Sequence, residues 1–253
     1  MSKFATGFGR CLRQVQSWLN ARRLGVSFIR ARSFKMPQKI NVGGKTVTLR
    51  YLQEQGPSTD FIACCIRNDY GLRQQLSNVK TILDIGGNVG FFSIAARSHY
   101  PRATIHTYEP NPRVLPCLKS NTAELGINVY SEAVGADCGV VSLVDVSTSN
   151  MAYTQLSGDG AIPQTSLEIA VERLGGTVDL LKLDCEGAEW DMFRSTNSWR
   201  HIRNIRMEYH FPHGETVTDV EQTLNGLGFE VICWKYEAGY GILWAKRSNL
   251  VLR

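Results

Sequence analysis

The chain has 253 residues, of which 43% are hydrophobic, so it can bury a full core and is not a disordered chain. Lys and Arg number 28 against 23 Asp and Glu, a formal net charge of +5. Residues 1–53 carry eleven basic and no acidic side chains, whereas the rest of the chain carries 17 basic and 23 acidic ones, a net charge of −6. The basic charge therefore belongs to the N-terminal segment and not to the main domain.

The cysteines indicate a reducing compartment. There are seven, an odd number, and they include no CxxC pair and no histidine at zinc spacing. This usage is typical of reduced thiols, so we expect a cytoplasmic protein. No apolar run approaches the ~20 residues of a membrane-spanning helix. Arg10 and Arg13 interrupt the apolar stretch that a secretory signal needs, so secretion is not expected.

Apolar side chains near the N-terminus recur at spacings of three and four residues, the period of one helical face. They are Phe4, Phe8, Leu12, Val15 and Leu19. We therefore predict a basic amphipathic helical extension over residues 1–38. Such a helix could bind peripherally to the inner face of an anionic membrane or bind acidic substrates. It could equally pack on its own domain with its charges in solvent. A mitochondrial presequence is a weaker alternative.

Residues 39–78 are predicted to form a β-hairpin and a helical cap. Two alternating runs flank Gly43-Gly44, a pattern typical of a hairpin. A break at Gln55 to Ser58 precedes a predicted helix over Thr59 to Leu76.

Strands and helices alternate from Val79 onwards, which predicts one α/β domain over residues 79–253. Predicted strands end at Asp84 and cover Ala103 to Glu109, Asn128 to Val134, Val140 to Val144, Val178 to Asp184 and Ile205 to His210. Predicted helices cover Phe91 to Ser98 and Arg113 to Leu125. The final runs GLGFEVICW and YGILWAK are too close for a crossover helix and should pair antiparallel. The expected fold is a doubly wound, mostly parallel, seven-stranded Rossmann-like sheet whose last strand is antiparallel.

The segment TILDIGGNVGFFSIAA, residues 81–96, contains the first chemical motif. A strand ends at Asp84, and a turn with Gly86, Gly87 and Gly90 leads into a helix. The dinucleotide fingerprint needs a third glycine at position 85, where Ile85 stands, so an NAD site is not predicted. An acid at the strand end would repel a pyrophosphate and suits a cationic ligand such as S-adenosylmethionine. Glu109, which ends the next strand, can accept hydrogen bonds from both ribose hydroxyls.

These segments, with YEPNP, SEAVG and LLKLDCEGAEWDMF, resemble the FkbM family of S-adenosylmethionine-dependent O-methyltransferases over about residues 79–247. The resemblance implies S-adenosylmethionine as cofactor. It also implies a set of cofactor-binding residues at the ends of the first three strands. They are Asp84, Gly86, Gly87, Asn88 and Gly90 near the methionine end, Glu109, Pro110 and Asn111 at the ribose, Glu132 and Ala133 at the adenine edge, and Asp184.

Two neighbouring strands place further polar side chains at the same sheet edge. The strand through Leu183 delivers Lys182, Asp184 and Glu186, and the next one ends with Glu208 and His210 on one side. Ligands bind outside the carboxyl ends of such strands, so we predict that these five residues are catalytic. His210 is the favoured general base, because neutral imidazole accepts a proton near pH 7, and Asp184 is the second choice.

Several alternatives remain open. The carboxylates could hold a divalent metal, but no metal spacing is evident and no metal is predicted. Lys182 could belong to a ribose 2′-hydroxyl methyltransferase of RNA, although the acidic main domain disfavours nucleic acid. A non-catalytic scaffold would be expected to lack intact cofactor positions. The expected acceptor is a hydroxyl, with a sugar of a glycan or glycolipid favoured over a secondary metabolite such as a polyketide. The oligomeric state is not predicted.

Overall fold

The structure is a computed structural model that describes residues 14–26, 35–74, 76–144, 152–157, 159–236 and 240–248. Its strands are β1 (Lys39–Val42), β2 (Lys45–Thr48), β3 (Thr81–Ile85), β4 (Thr104–Tyr108), β5 (Ile127–Tyr130), β6 (Ala133–Gly135), β7 (Gly139–Val144), β8 (Tyr153–Leu156), β9 (Ile162–Ser166), β10 (Leu180–Leu183), β11 (Asn204–His210), β12 (Phe229–Tyr236) and β13 (Tyr240–Arg247). Its helices are α1 (residues 14–23), α2 (Gly56–Phe61), a π-helix (Ile62–Arg67), α3 (Phe91–His99), α4 (Leu115–Thr122), a 3-10 turn (Ala123–Leu125), α5 (Leu167–Arg173), α6 (Glu189–Met192), α7 (Thr196–Trp199) and α8 (Val217–Gly226).

Seven strands form the central sheet, in the order β12-β13-β11-β10-β3-β4-β5. Neighbours from β11 to β5 are parallel, whereas β13 runs antiparallel to both β11 and β12. The predicted α/β fold, a mostly parallel seven-stranded sheet with an antiparallel last strand, is therefore confirmed. The chain passes from β3 to β4 on one side and reaches β10 on the other, so a crevice opens at the carboxyl ends of β3 and β10.

Because successive side chains of a strand point to opposite faces, the two faces of the central sheet pack in two different apolar cores. Ile82 packs with helix α3 on one face, whereas Leu83 packs with α5 and α8 on the other. All four residues of β10 are buried, as expected for a central strand with helices on both faces.

The N-terminal cap follows the prediction in part. β1 and β2 pair as an antiparallel hairpin around Gly43-Gly44. The helical stretch is shorter than predicted, because Asn68 adopts a left-handed conformation with φ 61° that ends the π-helix at Arg67. Asn68 Oδ1 accepts the N–H of Arg73 and stabilises the loop that follows. The division of the chain at residues 38 and 78 stays a prediction.

A second sheet was not predicted, although one of its strands, β7, coincides with the strand predicted over Val140 to Val144. The order of this sheet is β6-β9-β7-β8, and only the β6–β9 pair is parallel. The single strand predicted over Asn128 to Val134 is instead two strands in different sheets, because the chain turns at Ser131 and Glu132.

Most of the predicted amphipathic extension lies outside the described residues. Within α1, the apolar side chains of Val15, Trp18 and Leu19 are about half exposed. No helix in the described ranges has the length and hydrophobicity that a membrane-spanning segment requires. Membrane contact through residues 1–38 stays a prediction.

Candidate active site

The glycine turn after β3 lies directly against the end of β10. Gly86 has φ 78°, and a Cβ atom there would lie 1.7 Å from the carbonyl oxygen of Asp184. Only glycine fits this close approach in this backbone conformation. The turn and the LLKLDCEGAE segment are therefore parts of one site.

A cavity of about 500 Å³ opens between this turn and the ends of β4, β10 and β11, a size typical of small-molecule sites. Twelve of the predicted site residues line it. They are Gly86, Gly87, Asn88, Glu109, Pro110, Glu132, Ala133, Lys182, Asp184, Glu186, Glu208 and His210.

Three predicted cofactor residues do not line this cavity. Asp84 is fully buried behind the turn, where it accepts hydrogen bonds from Ser93 Oγ (2.6 Å) and Thr107 Oγ1 (3.2 Å). Gly90 faces α4, and Asn111 is buried with its N–H donated to Glu109. These three residues lie behind the cavity wall and support it, and their contact with the cofactor stays a prediction.

Lys182 is a buried cation between two aspartates. Its Nζ lies 3.2 Å from Asp184 Oδ2 and 3.6 Å from Asp84 Oδ1, and it donates to the carbonyl oxygens of Ile85 and Gly86. Burial would lower the pKa of Lys182, but the charges of Asp184 and Asp84 raise it above its ordinary value. Lys182 therefore stays charged and joins the glycine turn to β10.

Glu109 is oriented by the backbone at the end of β4. Its Oε2 accepts the N–H of Asn88 and its Oε1 that of Asn111, both at 2.7 Å. Burial raises the pKa of Glu109 to about 7, although the two N–H donors favour the ionised form. Glu132, which is predicted to lie at the adenine edge, pairs with Arg173 at 2.8 Å, so its carboxylate is already engaged.

His210 lies among three carboxylates. Its Nδ1 lies 3.0 Å from Glu189 Oε1, and its Nε2 lies 3.3 Å from Glu186 Oε2 and 3.7 Å from Glu208 Oε1. The backbone carbonyl of His210 accepts a hydrogen bond from Trp190 Nε1 at 2.9 Å, which fixes the strand end.

These contacts correct the predicted protonation state of His210. Burial would lower its pKa, but hydrogen bonds to Glu189 and Glu208 and the charges of the carboxylates raise the pKa to about 11. The ring is thus an imidazolium at pH 7 and not the neutral base that the sequence suggested. Burial and then Asp184 raise the pKa of Glu186 to about 8, and the same causes raise that of Glu208.

Two cavity residues from the cap were missed by the sequence reasoning. Tyr70 Oη lies 3.1 Å from Asp184 Oδ2 and 3.3 Å from Glu208 Oε2, and Asp60 Oδ2 accepts a hydrogen bond from Asn88 Nδ2 at 3.0 Å. Burial, followed by the charges of Asp184 and Glu208, raises the pKa of Asp60 to about 7. No motif surrounds either residue, so no local sequence signal identified them.

The cavity also has properties that a metal or a cationic cofactor would need. Among the described residues, the ligand atoms of Asp184, Glu208 and His210 lie within 4.8 Å of one another, a spacing compatible with a metal ion. The donor set fits S-adenosylmethionine: Gly86 and Gly87 present backbone without side chains, Glu109 offers acceptors for ribose hydroxyls, and the acidic wall suits a sulfonium.

Comparison with known proteins gives sequence relatives and structural neighbours. Methyltransferase sdnD of Sordaria araneosa is 28% identical over 196 residues, covering 59% of this chain and 73% of that protein. The 31-O-demethyl-FK506 methyltransferase FkbM of Streptomyces tacrolimicus is 25% identical over 208 residues, covering 67% and 78%. Among solved structures, Aeropyrum pernix fibrillarin with bound S-adenosyl-L-methionine is 15% identical, with a TM-score of 0.45 and coverage of 70% and 73%.

The family comparison covers the glycine turn, Glu109 and the ends of β10 and β11, where the catalytic residues are predicted. The model of the methyltransferase FkbM domain matches residues 84–231, which is more than half of the chain. The chain therefore belongs to the FkbM methyltransferase family, and its cofactor is S-adenosylmethionine.

Proposed function

We propose that the enzyme transfers a methyl group from S-adenosylmethionine to a hydroxyl oxygen, most specifically a sugar hydroxyl of a glycan or glycolipid. The observation that carries O-methylation is the cluster of Glu186, Glu208 and His210 at the cavity wall. An alcohol loses its proton as it attacks, and a cluster of acceptor groups can receive that proton. The name of the relative from S. tacrolimicus, which specifies an O-demethyl substrate, supports the same chemistry.

The proposed mechanism begins with positioning. When bound, S-adenosylmethionine supplies an electrophilic methyl group on a sulfonium sulfur. Glu109 accepts hydrogen bonds from the ribose, and Gly86 and Gly87 leave room at the backbone. Asp184, held by Lys182 and Tyr70, orients the acceptor hydroxyl from the neighbouring strand. Alignment of the acceptor with the S–CH₃ bond supplies much of the rate gain.

The proton of the acceptor is received by the carboxylates beside His210. Because the ring is an imidazolium, Glu186 and Glu208, 3.3 Å and 3.7 Å from its Nε2, accept the hydroxyl proton in their ionised form as the oxygen attacks. The positive charge of the ring favours that ionised form. Glu189, hydrogen-bonded to Nδ1, keeps Nε2 directed at its partners.

Two features favour a sugar acceptor. Carboxylates from Asp60, Asp184 and Glu208 line the cavity and can accept hydrogen bonds from several hydroxyls of one ligand. Tyr153 and Tyr240, 36% and 39% exposed, also line it and offer aromatic faces to a sugar ring. A polyketide hydroxyl is the second candidate; the S. tacrolimicus relative is named for a 31-O-demethyl-FK506 substrate and not for a sugar. RNA is a weaker candidate, because Lys182 is buried and engaged by two aspartates.

The test is a methyl-transfer assay with radiolabelled cofactor and a panel of acceptors: sugars and nucleotide sugars, hydroxylated macrolides, and an RNA oligonucleotide. We expect labelled sugar, with alkali-stable ether-linked methyl groups. His210→Ala and Asp184→Ala should retain cofactor binding in calorimetry but lose turnover, whereas the exposed His213→Ala serves as a matched control. Normal methylation by both variants would refute the site assignment. Absence of cofactor binding by the unmodified protein would instead favour a non-catalytic scaffold.

A further inference from the structure

One side chain from the N-terminal cap connects the ends of β10 and β11. The hydroxyl of Tyr70 lies 3.1 Å from Asp184 Oδ2 and 3.3 Å from Glu208 Oε2. The side chain is only 4% exposed, so water competes little for either contact. Tyr70 precedes the region that matches the FkbM family model, residues 84–231.

The chain around Tyr70 is fixed on both sides. The ring packs edge-on against Phe92 at the start of α3, with the two ring centroids 5.4 Å apart. The carbonyl oxygen of Asp69 accepts a hydrogen bond from Trp244 Nε1 at 2.9 Å. Gly71, with φ 63°, passes so close to Trp244 that a Cβ atom would lie 2.7 Å from the indole. The phenol is therefore held in place by packing that does not depend on its own hydroxyl.

The hydroxyl has one proton and two carboxylate neighbours. Burial and the charges of Asp184 and Glu208 raise the pKa of Tyr70 well above its ordinary value, so the phenol remains a donor and does not act as a base. A donor between two carboxylates lowers their mutual repulsion and fixes the direction of their free oxygens.

We propose that Tyr70 is a positioning residue of the methyl-transfer site, whose hydroxyl holds Asp184 and Glu208 in the arrangement that receives the acceptor. The effect on turnover rests on the proposed O-methyl transfer, whereas the effect on the carboxylates does not. The cap is thereby a part of the active site and not only a cover over it.

The first test compares Tyr70→Phe with Tyr100→Phe. Phe keeps the ring contact with Phe92 and removes only the hydroxyl. A lost hydrogen bond to a charged group predicts a fall in kcat of roughly 10-fold to 100-fold. The KM for S-adenosylmethionine should remain within about twofold of wild type, and the rise of kcat with pH should move to higher pH. Tyr100, which follows α3, donates from its Oη to the carbonyl of Leu72 in the cap at 3.2 Å and lies away from the carboxylates, so its variant should keep both kcat and the pH profile.

The second test does not need an acceptor. In protein labelled with ¹³C at the glutamate carboxyl groups, the resonance that disappears in Glu208→Gln identifies Glu208. We expect its pKa to rise by about one unit in Tyr70→Phe and to stay unchanged in Tyr100→Phe. An unchanged Glu208 titration, or wild-type kcat and pH profile in Tyr70→Phe, overturns the proposal. If the wild-type enzyme methylates none of the alcohols in the panel, that result contradicts the proposed function but not the role of Tyr70. The titration of Glu208 then decides whether Tyr70 positions the carboxylates.

Discussion

Replacing Lys182 with Met should lower the free energy of unfolding of the protein, because it removes a buried positive charge. Lys182 is 3% exposed, and its ammonium group offsets the charges of Asp84 and Asp184, of which Asp84 is fully buried. Met preserves most of the side-chain volume, so the loss is chiefly electrostatic. Breaking a buried ion pair by removing one partner typically costs about 3–5 kcal/mol, and we expect a decrease of that size in the free energy of unfolding.

The matched control is Lys246→Met. Lys246 Nζ lies 3.1 Å from Glu230 Oε2, but the two side chains are 48% and 59% exposed. Such a surface pair contributes about 0–1 kcal/mol. Urea unfolding at pH 7.5, followed by circular dichroism, measures both variants. A destabilisation below about 1 kcal/mol for Lys182→Met, or one equal to the control, would refute the reasoning.

The pH dependence of this effect has a definite sign. Burial raises the pKa of Asp84, and Lys182 is the main group that opposes this increase. Without Lys182 the folded-state pKa of Asp84 rises further above its unfolded value, so the penalty is largest at high pH. It is lost as pH falls through the folded-state pKa and the carboxyl group becomes neutral. The double variant Lys182→Met, Asp84→Asn should therefore recover part of the stability at pH 7.5.

Three further outcomes follow from the site. Because the pKa of Glu186 is raised to about 8, mainly by burial and then by Asp184, kcat should increase about tenfold from pH 7 to pH 9; a flat initial-rate profile would contradict its role as a proton acceptor. Turnover should survive exhaustive dialysis against EDTA, because the proposed mechanism gives the hydroxyl proton to carboxylates without a metal; a loss restored by Mg²⁺ would establish a metal at Asp184, Glu208 and His210. Glu109→Gln should weaken cofactor binding roughly 10-fold or more in calorimetry, whereas the exposed Glu124→Gln should not.

The central sheet could be predicted because its strands bury both faces. The apolar runs that form β3 and β10 are typical of strands buried in the centre of a parallel sheet. The short connection between β12 and β13 requires these two strands to pair antiparallel. The second sheet could not be predicted in the same way. Strand β6 has only three residues, β9 contains Pro163 and little apolar sequence, and residues 145–151 between β7 and β8 carry no periodic pattern.

The candidate active site, too, could be predicted only in part. Glu208 and His210 could be assigned to one edge, because alternation along β11 and the parallel arrangement with β10 place them near Asp184. The contact of Tyr70 with Asp184 spans 114 residues and has no periodicity, so only the folded chain reveals it. Protonation of His210 likewise depends on how many carboxylates surround the ring in three dimensions.

That dependence can be tested at Glu189, which is fully buried and lies 3.0 Å from His210 Nδ1. Glu189→Gln keeps a hydrogen-bond acceptor but removes the negative charge. Because this charge stabilises the imidazolium, its removal should lower the pKa of His210 by at least one unit, from about 11 toward its ordinary value. The ring ¹⁵N resonances of His210, assigned by His210→Ala, report the titration directly. If the pKa stays near 11, Glu186 and Glu208 alone keep the ring protonated, and Glu189 serves only to orient it.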